Sequence, residues 1–533
     1  MTSGSWDVVV AGAGHNALVC AAYLSRVGLR VLVLERASQI GGDTSTEELT
    51  LPGFRHDACA SAHVLIQTSP ILRDNELGLD RYGLEYLYPD PAVVMPFRDG
   101  RSITMFRDRA ATARELARFS AGDARAYERL LADWDAIKAT QNRARYSPPT
   151  TPSAAVAALE ATELGLEPVR WRYSSALEVV CERFAEAHVR AFFLWLSLMT
   201  MSSVDQPGTG LLPLSIASGR QAFSWTTPRG GSAALPGALA AVVREGGGEV
   251  RTEAEVVRVL VENGRAVGVA TADGAVHRAR RAVVSSIHVK HLPEVVGADA
   301  LGEDYVRGLE HWRTGVTMFV THYALAAAPR YRLEQGPTAA VAAGVAGSTD
   351  ELVAALAAFR RGELHLDDPP LLAVCSTVVD RTRAPAGRHT LKVVGFLPYE
   401  LRDGGSERWD GIKDEVSDTL LEHYLRHVEL DRRDILARHV ESPLDLERRN
   451  PHNYRGSCHG GDQDLAQEGA LRPLPGWGAY RLPVAGLYQT GSTTHPGASV
   501  TGAPGRNCAQ VVLEDLGLSL AQAIAAGRAS PVA

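Results

Sequence analysis

Residues able to carry chemistry gather in three places. The first is the turn Val8-Val9-Val10-Ala11-Gly12-Ala13-Gly14-His15-Asn16-Ala17 near the N-terminus. Its Gly-x-Gly-x-x-Ala spacing suits a backbone that must lie against a pyrophosphate. Gly12 permits a tight turn, Gly14 allows close approach, and the small Ala17 lets helix and strand pack. The free N–H groups of a following helix, with their partial positive charge, would face the phosphates. Glu35, 23 positions after Gly12, is placed to accept hydrogen bonds from a ribose hydroxyl pair. The second place is the C-terminal stretch Gly491-Ser492-Thr493-Thr494-His495-Pro496-Gly497, followed by Val500-Thr501-Gly502-Ala503. The third is a set of separate histidines, His63, His459 and His495, each a candidate proton acceptor. For each of them the competing expectation is structural, a histidine pinning a loop by hydrogen bonds.

These groups need elements to position them. An apolar run at 8–10, a helical stretch over about 18–26 and the apolar run Val31–Leu34 make a β-α-β unit that ends in Glu35. Arg36 then leads into Ile40-Gly41-Gly42-Asp43-Thr44. A glycine pair here lets a second loop run along the pyrophosphate and flavin side of a cofactor longer than NAD, which points to FAD. At the other end of the chain a short strand over 487–490 meets Gly491, and a helix is predicted over about 501–515. Its N-terminus would face a second anionic region, on a flavin the N1–C2=O edge.

The chain between these ends divides by pattern. Residues 45–60 suggest a strand pair, and 65–225 is mainly helical, with segments at 110–119, 123–138 and 176–201. Ser147-Pro148-Pro149-Thr150-Thr151-Pro152 breaks the helices with an exposed loop. Such an insertion can cover a cofactor and exclude water. A helix over 235–245, a hairpin turning at Asn263-Gly264 and a strand over 282–286 return to the cofactor sheet. Residues 300–450 mix strands (317–323, 371–379, 390–397) with a helix over 409–427. The expected fold is α/β: a Rossmann-like FAD-binding domain on the GR2-type plan (1–62, 226–296, 480–533), interleaved with an α+β substrate domain (63–225, 297–479).

Composition narrows the function. The net charge of −7 over 533 residues carries no basic surplus, which argues against a nucleic-acid partner. Six scattered cysteines include no Cys-x-x-Cys pair, so neither a disulfide framework nor a redox-active dithiol is expected. His452, Cys458 and His459 match no standard zinc spacing, and no metal is expected. The first strand starts near Trp6 without room for a leader, and a reducing, cytoplasmic compartment is expected. The apolar run 192–201 is too short to span a membrane and should be a buried helix or a wall of an apolar cavity. A lipid-like substrate would allow peripheral membrane contact, although no basic amphipathic helix argues for it.

Three further stretches carry a family resemblance: Arg472-Pro473-Leu474-Pro475-Gly476-Trp477, Gly486-Leu487-Tyr488, and Val500-Thr501-Gly502-Ala503-Pro504-Gly505-Arg506-Asn507. With the Glu35 and Gly41-Gly42 fingerprint, they resemble the phytoene desaturase-related family of FAD-dependent oxidoreductases in the amine oxidase superfamily. Within it the likeness is to the branch called pyridine nucleotide-disulphide oxidoreductase domain-containing protein 2. One departure is Ala498-Ser499, where relatives often carry more glycine. The resemblance implies bound FAD, with the backbone at Val257 holding the adenine and Cys59-Ala60-Ser61-Ala62-His63 passing near the ring. It also implies dehydrogenation or desaturation of a fairly apolar small molecule, with a hydride passing to flavin N5. Alternatives are an oxygen-using amine or amino-acid oxidase, a flavin-dependent isomerase, or an idle binding protein. Arg172, Arg183 and Arg190 lie in the insertion, where arginines are usually solvated. The electron acceptor (oxygen, a quinone or another redox protein) and the oligomeric state stay open.

Overall fold

In the computed structural model, which describes residues 5–529, two seven-stranded sheets carry the molecule. Trp6–Ala11 pairs in parallel with Val31–Leu34 on one side and with Val276–Ser285 on the other. Glu249–Arg251 and Leu487–Gln489 extend this parallel set at its two ends. Val8, Val9, Val10, Val31, Leu32 and Val33 are fully buried, as a parallel sheet covered on both faces requires. Helices His15–Arg26, Ala234–Glu245 and Ala503–Asp515 cover one face. A segment containing Val289, Leu292, Leu309 and Trp312 covers the other. The hairpin Val256–Glu262 and Arg265–Thr271 adds two antiparallel strands, and Asn263 (φ 50°) and Gly264 (φ 74°) both take the positive φ that a tight two-residue turn needs.

The carboxyl ends of these strands meet at one edge. Gly12, Glu35 and Ser286 directly follow three of them, and Gly491 lies two residues past a fourth. That edge is where open α/β sheets place their ligands.

The second sheet runs Ile435–Glu441, Phe319–Leu325, His389–Gly395, Leu371–Val374, Ala342–Val345, Val93–Pro96, Ser102–Met105. It draws on both halves of the intervening sequence, joined where Ala343 meets Val94. Its faces alternate with a period of two: Val93, Met95 and Val394 pack under helices Ala121–Arg145, Ala187–Leu198 and Leu212–Phe223, while Val94 and Val393 pack against Trp409–Leu425.

Two expectations need correction. The stretch 176–201 is two helices, Ala176–Arg183 and Ala187–Leu198. Asp123 accepts the backbone N–H groups of Ala185 and Glu186, and Glu186 caps the second helix, so the chain is held open at the break. The strand expected over 371–379 ends at Val374, because Ser376–Val378 turns into a 3-10 helix. Among the described residues no single helix is long and apolar enough to cross a membrane. Phe192–Leu198 is fully buried in the core, with Trp195 Nε1 donating to Leu371 O at 2.9 Å.

Candidate functional site

A cavity of about 1530 Å³ follows the carboxyl edge of the first sheet and is continued by walls from the helical layer. Pockets for drug-sized ligands are usually about 300–1,000 Å³, so this one has room for a long cofactor and a second molecule.

The backbone shapes the sheet end. Gly12 has φ +95°, and a Cβ there would lie 2.2 Å from Ser286 Oγ. Gly41 and Gly42 have φ +115° and +55°; Gly41 N donates to Ala13 O at 2.9 Å, and a Cβ on Gly42 would come within 3.5 Å of Gly14 Cα. The glycine pair therefore lets the second loop lie directly on the first. Helix His15–Arg26 starts at Gly14 with no side-chain cap and no acid in its first turn. Ala503–Asp515 starts the same way at Gly502, φ +70°. The first helix leaves its first-turn N–H groups to be satisfied by something else, whereas in the second Thr501 Oγ1 takes the Ala503 N–H and Pro504 carries none. A Cβ on Gly14 would meet nothing within 4 Å, and His15 Nε2 and Asn16 Oδ1 are buried without partners. The open N–H groups of the first helix and this bare turn fit an anionic, pyrophosphate-bearing group; Asn16 Oδ1, an acceptor, is not among those donors. Glu35 Oε2 accepts from Ala13 N at 2.7 Å and Oε1 from Ala37 N at 3.0 Å. The carboxylate is thus fixed at the turn, with lone pairs left for hydroxyl donors.

Polar side chains hold the facing wall. Asp43 Oδ1 accepts from Asn450 Nδ2 (3.0 Å) and Asn453 Nδ2 (3.1 Å). Burial raises the Asp43 carboxyl above the usual range, and the two amides pull it back. Lys392 Nζ donates to the backbone oxygens of Asp57, Ala58 and Cys59 and to Ser61 Oγ, anchoring the loop that enters the cavity. Burial lowers the Lys392 ammonium. His452 Nδ1 faces Ser286 O at 3.0 Å and Nε2 faces Ser492 Oγ at 2.5 Å. Burial pushes His452 down to about 4. The neutral ring then carries its proton on Nδ1 and accepts the Ser492 hydroxyl at Nε2.

Most of the expected residues border the cavity: Gly12, Gly14, His15, Asn16, Ala17, Glu35, Arg36, Gly41, Gly42, Asp43, Thr44, Gly491, Ser492, Val500 and Thr501, with His459 and His495. Ala498 and Ser499 border it too, and Ser499 holds φ +74°, a conformation that glycine adopts more readily. Four residues do not border it. Ala13 lies under the turn and contributes its N–H to Glu35. Ala503 is fully buried as the first residue of its helix, its N–H taken by Thr501 Oγ1 at 3.1 Å. Val257 is 46 % exposed, and the wall is formed by Glu255 and Val256 instead, so the expected position was one residue late along the strand. His63 is fully buried behind the wall. Ser232 gives its hydroxyl proton to Ala60 O, so His63 Nε2 donates to Ser232 Oγ (3.0 Å) and Nδ1 accepts from Tyr86 (3.3 Å). Both ring nitrogens are used, which excludes His63 as a base.

The other two histidines keep one nitrogen each. His459 Nδ1 accepts from Gln463 Nε2 at 3.2 Å. His495 Nε2 donates to Ala144 O at 2.9 Å, leaving Nδ1 without a partner. Burial pushes both down to about 4, so both are neutral and weakly basic near neutral pH.

Sequence reasoning missed Lys392, Asn450, Asn453 and Arg220, all on the wall. A lysine inside an otherwise apolar strand, Thr390-Leu391-Lys392-Val393-Val394, was the available signal for the first.

Comparison with known proteins agrees with this geometry. A family model described as "Flavin containing amine oxidoreductase" matches residues 18–513. The chain is 28% identical to one of the limonene dehydrogenase subunits of Castellaniella defragrans over 539 residues, covering 96% of this chain and 95% of that one. It is 29% identical to pyridine nucleotide-disulfide oxidoreductase domain-containing protein 2 of Mus musculus, covering 96% and 94%. A phytoene desaturase (lycopene-forming) of Pseudescherichia vulneris is 23% identical, covering 95% and 99%. In fold, the chain is similar to a putrescine oxidase solved bound to putrescine, with a TM-score of 0.61, 16% identity and coverage of 96% and 99%. The protein is thus an FAD-dependent oxidoreductase, and the chain belongs to the flavin containing amine oxidoreductase family.

Proposed function

We propose that the protein is a dehydrogenase or desaturase of a fairly apolar small molecule. The observation that carries this reading is the continuity of one cavity from the glycine turns to an apolar helical wall that includes Ala154, Ala158, Met199 and Ile216. When bound, FAD supplies the hydride acceptor at N5. The Gly12–Ala17 and Gly41–Thr44 loops would hold its pyrophosphate, Glu35 its ribose, and Val500–Thr501 the far end. The chain's other tasks are orientation and exclusion of water. Lys392 and the paired asparagines fix the loops, and the helices Ala121–Arg145, Pro152–Glu160 and Leu212–Phe223 roof the cavity.

Most carboxylates on the wall are already engaged: Asp43 by asparagines, Glu47 by Arg449, Glu255 by Arg36 and Glu468 by Arg172, while Glu294 is exposed to solvent. That leaves little to attract a cationic amine and favours dehydrogenation at carbon over amine oxidation. The test is anaerobic bleaching of the purified holoprotein by a panel of cyclic and linear terpenoids beside primary amines and diamines. Bleaching by the terpenoid set, with no peroxide released from amines in air, supports the proposal. Reduction by amines alone overturns it. The limonene dehydrogenase relative makes a monoterpene the first compound to try. Oxygen, a quinone or a second redox protein as oxidant is separated by reoxidation rates.

A further inference from the structure

Helix Leu212–Phe223 turns one stripe to the cavity: Leu212, Ser215, Ile216 and Arg220 all border it, at helical spacing. Arg220 is out of keeping with the rest. It is 5 % exposed, and among the described residues no carboxylate pairs with it. Its guanidinium makes one long bond to Ser224 O at 3.4 Å, and Nε has no partner. Its carbon sits 3.8 Å from the centre of the Trp225 ring, and Trp225, also on the wall, has an indole N–H without a partner. The more deeply set cations around the cavity are answered, Arg172 by Glu468, Arg449 by Glu47 and Glu441, and Lys392 by loop carbonyls, whereas Arg143 and Arg145 reach solvent.

A guanidinium offers five donors and accepts nothing. Held in an apolar corner without an acid, it is an uncompensated charge. Burial pushes Arg220 down to about 9, which still leaves it charged at neutral pH. The indole below it stabilises the cation without using its in-plane donors. What the corner lacks is an anion with two acceptor oxygens.

We propose that Arg220 receives a carboxylate on the substrate, so that the protein acts on apolar acids rather than on neutral hydrocarbons. The planar fork would take the carboxylate in a bidentate pair, backed by Trp225, while the apolar body of the molecule lies along Leu212 and Ile216. This rests on the reading that the cavity holds substrate beside FAD, and it adds the substrate's charge.

The experiment is calorimetric titration of the holoprotein with straight-chain and terpenoid carboxylic acids of graded length, each beside its primary amide. At least one acid should bind about tenfold or more tightly than its amide, the range expected when a charge-assisted pair is gained. R220Q should abolish that preference and keep its FAD. R220K, which keeps charge and most of the volume, should weaken the acid and leave the amide unchanged, and it carries the test if R220Q does not fold. Equal binding of acids and amides by the wild type overturns the proposal. So does a preference that survives in R220Q, or loss of FAD in both variants, which would assign Arg220 to the cofactor. Bleaching by neutral terpenoids with no acid preference overturns this inference alone. Tight, Arg220-dependent acid binding with no bleaching by any compound overturns the dehydrogenase reading and leaves this one.

Discussion

At the sheet end of the cavity, Gly12, Glu35 and Ser286 each follow directly on the last residue of a strand. At the helical end, Ala144, Ala158 and Met199 come from three separate helices or their ends, and Ile216 and Arg220 from a fourth. The first end is a backbone device. Positive φ angles and missing Cβ atoms let two loops touch and expose uncapped N–H groups, while Glu35 and Asp43 beside them have fixed partners. The second end is a side-chain device. Its shape depends on residue volumes, and its buried Arg220 has no acid beside it among the described residues. The two should therefore fail differently. Changes at the sheet end should remove the cofactor, whereas changes at the helical end should retune which molecule enters.

The sharpest break of that comparison is Gly12→Val. The φ of +95° strains any side chain by about 1–3 kcal/mol, and the Cβ would also clash with Ser286 Oγ. Purified G12V should carry at least about tenfold less flavin than wild type, since each 1.4 kcal/mol is a factor of ten, as read by absorbance. Ala158→Val, at the other end, should keep its flavin and lose activity on bulky substrates. Full flavin in G12V would mean that the turn does not hold the cofactor.

Lys392→Met probes the seam. It leaves buried carbonyls at 57–59 without their donor, so a loss of about 1–3 kcal/mol is expected, read as a lowered Tm. Flavin reduction should slow as the Cys59–Ser61 loop loosens, while bound flavin is retained.

The pH dependence gives a smaller effect. Burial depresses His15, His452, His459 and His495 from 6.5 to about 4. The unfolded chain therefore binds more protons between those values, and stability rises with pH across that window. The contribution is fully present above pH 6.5 and is lost as pH falls toward 4. Thermal unfolding should show a falling Tm over that range and a plateau above it. A flat Tm from pH 7 to 4 would contradict the buried, neutral assignment.

The smallest effect is expected from His459→Ala. A general base usually contributes about 10²–10⁴-fold. A neutral, weakly basic His459 bonded to Gln463 should account for less than about tenfold in turnover. A loss in the general-base range would turn this part of the wall from lining into catalytic machinery.

Much of the sheet end was legible because its information is local. A strand breaking at Gly12, a helix with small Ala17, a carboxylate at Glu35 and a glycine pair six residues later are short-range patterns. Each is fixed by φ freedom or by helix and strand periodicity. The Asn263-Gly264 hairpin was legible for the same reason. Its register was not: Val256 rather than Val257 meets the cavity, because which strand residue faces inward depends on what packs there, and a slip of one residue reverses every side chain.

The remainder was decided by tertiary structure. His63 looks free in sequence and is consumed by Ser232 and Tyr86, from 169 and 23 residues away. Lys392 reaches Cys59 across 333 positions, and Asp43 reaches Asn450 across 407. Arg220 looks like any helical arginine until the surrounding helices close over it without an acid. The sequence by itself determined the conformations of the backbone turns, because φ preference and periodicity belong to a residue and its neighbours. Only the folded chain decided which side chains are neutral, spent or left waiting for a partner, because burial and pairing belong to the whole assembly of elements.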